Sequence, residues 1–282
     1  MGYKSILTIL CAAKGAGSTI SAAARLAHAQ DAHLDILVLG VDRTQLGYSY
    51  LGAGAVVMQA ALDRAEADAS ETEAAARAAL TAETPDLRWS LEAMVTQIGS
   101  LSEVVSQRAR FADLVVLPRP YGTEMGPEAE TAVEAALFQG RAPVMILPEK
   151  GLMHAEQPRR VVLAWNQSAE AMTATRFALP FLKAATAVSI TVVDPPSYGH
   201  ERSDPGGLLC QMLVRHGVHA EVSVLARDLP RVSDVLTRHA MDTDADLLVM
   251  GAYGHSRFRE AILGGSTRNM LEKTEIPVLM AH

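Results

Sequence analysis

Residues Phe111–Gly122 read FADLVVLPRPYG, and residues Asp244–His255 read DADLLVMGAYGH. Each centres on a short, wholly apolar run, Leu114–Leu117 or Leu247–Met250, entered through Ala-Asp and left through a turn. Such runs fit strands of a parallel sheet covered on both faces better than strands with one wet face. The likeness continues downstream, where APVMILP (Ala142–Pro148) answers IPVLMAH (Ile276–His282). The intervals agree as well, 30 positions from Ala112 to Ala142 and 31 from Ala245 to Ile276. Upstream, SILTIL (Ser5–Leu10) and RVVLAW (Arg160–Trp165) each lead into an Ala-rich helical stretch. Next come LDILVLGVD (Leu34–Asp42) and VSITVVD (Val188–Asp194), both ending in Asp, and then the third strands RWSLEAMV and HAEVSVLA. Matched pieces in one order make the chain an internal repeat.

Each copy thus reads as strand and helix in alternation, ending on a fifth strand. Parallel neighbours need a crossover, which is usually a helix, so the fold class is α/β: two tandem doubly wound domains. The first is expected over 1–150 and the second over 158–282. Between them lies PEKGLMHAEQPRR (Pro148–Arg160), polar and broken by two prolines and a glycine. The longest helical segment, Ala55–Leu80, has only a short counterpart near Leu208–His216, and it is expected to project or to pack on the other half.

With 282 residues the chain has room for two cores, and a net charge of −7 excludes a protein that coats nucleic acid or an anionic membrane. Its 2 cysteines, Cys11 and Cys210, are far apart and form neither a disulfide framework nor a CxxC metal site. The apolar run Ile6–Ala13 after Lys4 has the length of a signal-peptide core but no persuasive cleavage site. A buried first strand explains it, no other apolar run reaches a membrane span, and a cytoplasmic protein is expected.

Chemistry concentrates in GAYGHSRFREAILGGSTRNML, Gly251–Leu271. Met250 should end a buried strand and the glycines turn the chain off the sheet. Gly264 and Gly265 then lead into Ser266 and Thr267, good N-cap residues for a helix over about Arg268–Lys273. A helix N-terminus offers unpaired amides and a positive dipole end, so the segment is either a phosphate cradle, which Arg268 would strengthen, or a structural turn with a cap. Its spacing is neither GxGxxG nor the Walker loop. His255 beside Ser256 lacks an orienting third group, and the histidines form no HxxxH pattern, so neither a catalytic residue nor a metal ligand is assigned. Arg257 and Arg259 read as a solvated face or as phosphate steering. Asp194 is a turn residue or a ribose or magnesium contact, and Trp165 a packing or a stacking residue.

Gly251, two residues, Gly254, nine residues, Gly264 and then small hydroxylated residues resembles the nucleotide signature of the universal stress protein family. The resemblance covers the chain as two copies, through ADLVVL with ADLLVM and APVMIL with IPVLMA. It implies a five-stranded parallel sheet in each copy, with ATP or ADP, with or without magnesium, held between the first strand and the glycine loop. Carried over, Ala164, Trp165 and Asn166 end the first strand, Val192 and Val193 lie near the adenine, and Met250 joins the nucleotide-binding set at the end of its strand. Gly251, Gly254, Gly264, Gly265, Ser266 and Thr267 hold ribose and phosphates.

Two departures bear on this. Asn166 stands where Asp is common, and Gly265 stands where Ser or Thr usually follows. In the first copy Pro118 and Tyr121 replace the first two glycines, so no such cradle forms there and that copy is expected to be mainly structural. Although Lys14 in CAAKGAGS (Cys11–Ser18) could meet an anion, a plain strand-to-helix turn is the simpler reading. The expectation is a stress-response binding and signalling module, not an efficient enzyme, whose partners are a nucleotide and a second copy of the chain. The alternative is a nucleotide-free scaffold acting through protein partners.

Overall fold

The computed structural model describes residues 2–44, 54–83, 86–121, 126–148, 156–195, 203–252 and 266–282. Helices alternate with strands throughout, and the strands are mostly parallel. The chain divides into two compact units, Tyr3–Ala142 and Pro143–His282, the latter with Gly2. Among the described residues no helix is long and apolar enough to cross a membrane.

The first unit runs β1 (Ser5–Leu10), α1 (Ala16–Ala29), β2 (His33–Asp42), α2 (Gly54–Thr81), β3 (Arg88–Gln97), α3 (Leu101–Ala109), β4 (Leu114–Pro118) and α4 (Pro127–Glu134). Its strands are parallel in the order β3-β2-β1-β4. The apolar runs explain this, because Ile6, Leu34 and Leu114 to Val116 are shut off from solvent, as helix-covered strands require.

The second unit runs β5 (Val144–Leu147), β6 (Arg160–Ala164), α5 (Ala169–Phe177), α6 (Leu179–Ala184), β7 (Ala187–Val193), α7 (Gly207–Arg215), β8 (Ala220–Leu225), α8 (Val232–Asp242), β9 (Leu247–Gly251), α9 (Ser266–Lys273) and β10 (Val278–Ala281). The order is β5-β10-β9-β6-β7-β8, parallel from β10 to β8. The five-stranded parallel sheet expected of a copy is therefore present in β6 to β10.

β5 departs from that pattern, since it lies antiparallel on β10, its own counterpart in the repeat. Val144 pairs with Met280, Met145 with Leu279 and Ile146 with Val278, and all six side chains are fully buried. Met145 and Leu279 are equivalent positions of the two copies, so the pairing is centred on equivalents and has a local two-fold.

The Asp of each ADL motif has a job that the sequence does not announce. Asp113 Oδ2 accepts the Lys4 and Ser5 backbone N–H groups at 2.7 and 3.0 Å, and Asp246 Oδ2 accepts those of Arg159 and Arg160 at 2.7 and 3.0 Å. One carboxylate thus ties the start of the central strand to the strand beside it in each copy, with charge-assisted bonds.

The long helix α2 does not project. It carries buried Ala65, Ala69, Thr72, Ala76 and Leu80, three or four residues apart, and it lies along β2, β3 and α1 of its own unit. Small residues let it come close, and at Gly40 of β2 a Cβ would run into the Ala65 carbonyl oxygen and carbon. The equivalent of Gly40 in the second copy is Val192, where a methyl, Cγ2, reaches to 3.5 Å from the Cβ position of Gly206, before the short α7. The difference in helix length between the copies is thus matched by one residue in the strand beneath.

On α8, His239 Nε2 lies 3.2 Å from Ser189 Oγ of β7. Burial holds this imidazole below its ordinary value of 6.5, against the pull of Asp242 and Glu221. The unfolded chain then takes up the proton first, so His239 lowers stability as the pH falls below about 6.5, until the folded value is passed. A proton NMR titration should find it titrating below a model imidazole, and His239→Gln should flatten the acid side of the stability profile. An ordinary titration midpoint would refute the assignment.

Candidate functional site

In the second unit the chain leaves β6 toward β7 and β8 and returns on the other side as β9 and β10. Strand order reverses between β6 and β9, which is where an open α/β sheet leaves a crevice outside the carboxyl ends of its strands. Ala164, Trp165 and Asn166 come off the end of β6, Val192 and Val193 end β7, and Met250 and Gly251 end β9. Parallel register sets Ala164 beside Thr191 and Leu163 beside Val249, so these residues share one edge. Because β9 and β10 are parallel, the connecting α9 runs back against them, and its first turn, Ser266 and Thr267, belongs to the same edge. Gly254, Gly264 and Gly265 lie outside the described residues, as do His255, Ser256, Arg257 and Arg259.

Trp165 is the most informative of these residues. Its backbone N–H donates to Thr191 O at 2.9 Å and the residue is only 7% exposed, so it is a packing element. Its indole Nε1, however, is buried with no hydrogen-bond partner among the described residues. A buried donor left unpaired is costly and rare, and at a switch-point edge it marks a place for an acceptor. Sequence reading weighed stacking against packing for this residue and missed the N–H, since the lack of a partner depends on tertiary placement.

Asn166 is already committed on one side. Its Oδ1 accepts the Ser168 N–H at 3.2 Å in a local turn, and Ser168 Oγ in turn accepts the Ala171 N–H at 3.1 Å, capping α5. The carbonyl oxygen that would replace the usual Asp as an acceptor therefore has a competitor within its own loop.

Gly251 differs from expectation. It does not turn the chain with a positive φ but continues β9, opposite Ala281. Glycine is required there by close approach, because a Cβ would sit 2.6 Å from the Ala171 nitrogen and 2.8 Å from the Glu170 carbonyl carbon at the start of α5. Asp194 takes a left-handed φ of 49° and its N–H donates to Leu225 O at 2.9 Å, which fits the turn reading.

α9 is described from Ser266, so Ser266 and Thr267 lie within the helix rather than ahead of it as its cap. Arg268, a candidate phosphate contact, makes an exposed pair with Glu272 at 3.0 Å within the helix. The helix is pinned to its neighbour through Arg231 Nη1 donating to Asn269 Oδ1 at 2.8 Å and Lys273 Nζ to Asp234 Oδ1 at 3.2 Å. The edge therefore combines apolar Ala164, Val192 and Met250, an unpaired indole N–H and a helix N-terminus. Such a set suits a flat, largely apolar ring that carries acceptors and an anionic group.

Comparisons with known proteins bear on the family and the fold. A profile of the universal stress protein family matches residues 158–282. A universal stress protein of Synechocystis sp. is 30% identical over 125 residues, which cover 43% of this chain and 41% of that protein. The chain thus matches about two fifths of the length of that relative. Among solved structures, a universal stress protein from Archaeoglobus fulgidus has a TM-score of 0.64 at 15% identity, over 98% of this chain and 95% of that one. A functionally unknown protein from Pseudomonas aeruginosa PAO1 has a TM-score of 0.57 at 14% identity, over 99% and 92% of the two chains. The second half of the chain, residues 158–282, thus matches the universal stress protein family, and the chain as a whole shares the fold of a solved universal stress protein.

Proposed function

We propose that the chain is a tandem universal stress protein, with copies at 1–150 and 158–282, whose second copy binds ATP or ADP. The observation that carries this reading is the buried Trp165 Nε1, without a hydrogen-bond partner among the described residues, at the β6/β9 reversal. In this reading Val192, Val193 and Met250 line the base and Trp165 donates to a ligand acceptor. Gly254, Gly264, Gly265, Ser266 and Thr267 hold ribose and phosphates, with magnesium as their counter-ion. No nucleophile and base are assigned, so the chain acts by holding the nucleotide as a stress-response signal rather than by rapid turnover.

Calorimetry on the intact protein, freed of copurified nucleotide, tests this. ATP with magnesium should bind at about one site per chain. Trp165→Phe keeps an aromatic side chain, though a smaller one, and loses one hydrogen bond of about 0.5–1.5 kcal/mol, so it should weaken binding roughly two- to tenfold. No heat up to millimolar ATP would remove the reading.

A second reading, a scaffold that works through protein partners or homodimerisation, is favoured by one feature. Leu208 and Val214 of α7 and Val224 of the adjacent β8 are apolar and more than half exposed. If nucleotide fails to bind, light scattering that shows a dimer, lost in Leu208→Glu, would support it.

A further inference from the structure

The Tyr3–Ala142 unit holds a cavity of about 380 Å³ at the carboxyl ends of β1 and β4, where its own strand order reverses. Ile9 and Leu10 of β1, Leu117 of β4 and Ala132 of α4 give it apolar walls, and Lys14 and Arg43 stand at its rim. Sequence reading offered only Lys14 of CAAKGAGS as an anion contact here and favoured a plain turn, because Pro118 and Tyr121 replace the glycines of a phosphate cradle.

The residue that makes the cavity chemical is Glu128, in the first turn of α4. Its side chain is 5% exposed and one of its oxygens, Oε1, is held by the Arg43 guanidinium. The other, Oε2, is buried with no hydrogen-bond partner among the described residues. A buried carboxylate oxygen left unpaired is costlier than a neutral acceptor, so the cavity calls for a donor at that place. Cys11 lines the same cavity. Burial first, then the Glu128 charge, push its thiol up to about 12 against the pull of Arg43, so at neutral pH it is an uncharged wall and not a nucleophile.

The charges narrow the ligand. Phosphate oxygens bring no proton to Oε2 and meet a like charge there, so a phosphate group does not satisfy it. A cation is disfavoured as well, because Arg43 already balances Glu128. A hydroxyl fits, being donor and acceptor at once.

We propose that this cavity is a ligand site for an uncharged polyol of monosaccharide size. One hydroxyl donates to Glu128 Oε2, its neighbour accepts from Arg43, and the C–H face of the ring packs on Ile9, Leu10 and Leu117. The volume lies in the range of small-molecule sites. This site is independent of nucleotide binding in the second copy.

Saturation-transfer NMR on the full chain, with D-ribose and D-glucose in separate samples, is the test. Transfer to at least one sugar is expected, unchanged by ATP and lost in Glu128→Ala. Should that variant not fold, Ala12→Trp, at an exposed position on the cavity wall, should abolish the signal by filling the space. Transfer to neither sugar, transfer that survives in the folded variant, or displacement by ATP would each overturn the proposal.

Discussion

Replacing Gly40 with valine is expected to destabilise the Tyr3–Ala142 unit by about 3 kcal/mol, the upper end of the usual cost of overpacking. The reason is what the new side chain meets. Its Cβ would overlap the Ala65 carbonyl and press on Ala69 Cβ, and backbone cannot swing away as the end of a flexible side chain does. The whole of α2 would have to lift from β2, exposing Ala65, Ala69 and Ala76. Gly99→Ala is the control, since a Cβ there has no neighbour within 4 Å, and it should change stability by about 0.5 kcal/mol or less. Urea midpoints of the two variants decide the matter. Equal shifts would mean that α2 is not seated as described.

A still larger loss is expected from Met145→Asp. Met145 sits at the centre of the β5/β10 pair, opposite Leu279, with no exposure. A carboxylate there is a buried charge without a partner, a fault worth about 3–5 kcal/mol. Such an aspartate would have its pKa raised in the folded state, so its protonated form is the tolerated one. The destabilisation should therefore be full at neutral pH and shrink as the pH falls toward the unfolded value of about 4. Met145→Leu, similar in volume, should cost less than about 1.5 kcal/mol. A pH-independent loss for the aspartate variant would show that the site is open to water.

Much of the fold was legible because burial on both faces forces an unmistakable pattern. SILTIL, LDILVLG, ADLVVL and their partners in the second half lie in β1, β2, β4 and their equivalents. The long Ala-rich run is indeed α2. What was not legible depends on distance in space. Gly40 reads as one more strand residue until the helix above it is known, and Gly251 reads as a turn glycine although it yields to α5. Asp113 and Asp246 stand in the repeated motif for all to see, yet their bonds to the start of the neighbouring strand have no trace in local pattern. Glu128 is one of several acidic residues in an apparently solvated helix, and only the packed structure separates it from Glu130. The same limit hid the unpaired N–H of Trp165. Of the nucleotide edge, the strand ends were readable from periodicity, whereas the commitments of Asn166 and Arg268 to nearby partners were not.

The antiparallel meeting of β5 and β10 on equivalent residues has a consequence for dilution. Two separate molecules that joined this strand to its own copy, about a two-fold axis, would make an association governed by concentration. Here one polypeptide carries both strands, and the chain between them sets their effective concentration, so the pairing forms as readily in a dilute sample as in a crowded one. The flank of β10, a template for any stray strand if left bare, is thereby closed without recruiting a second molecule.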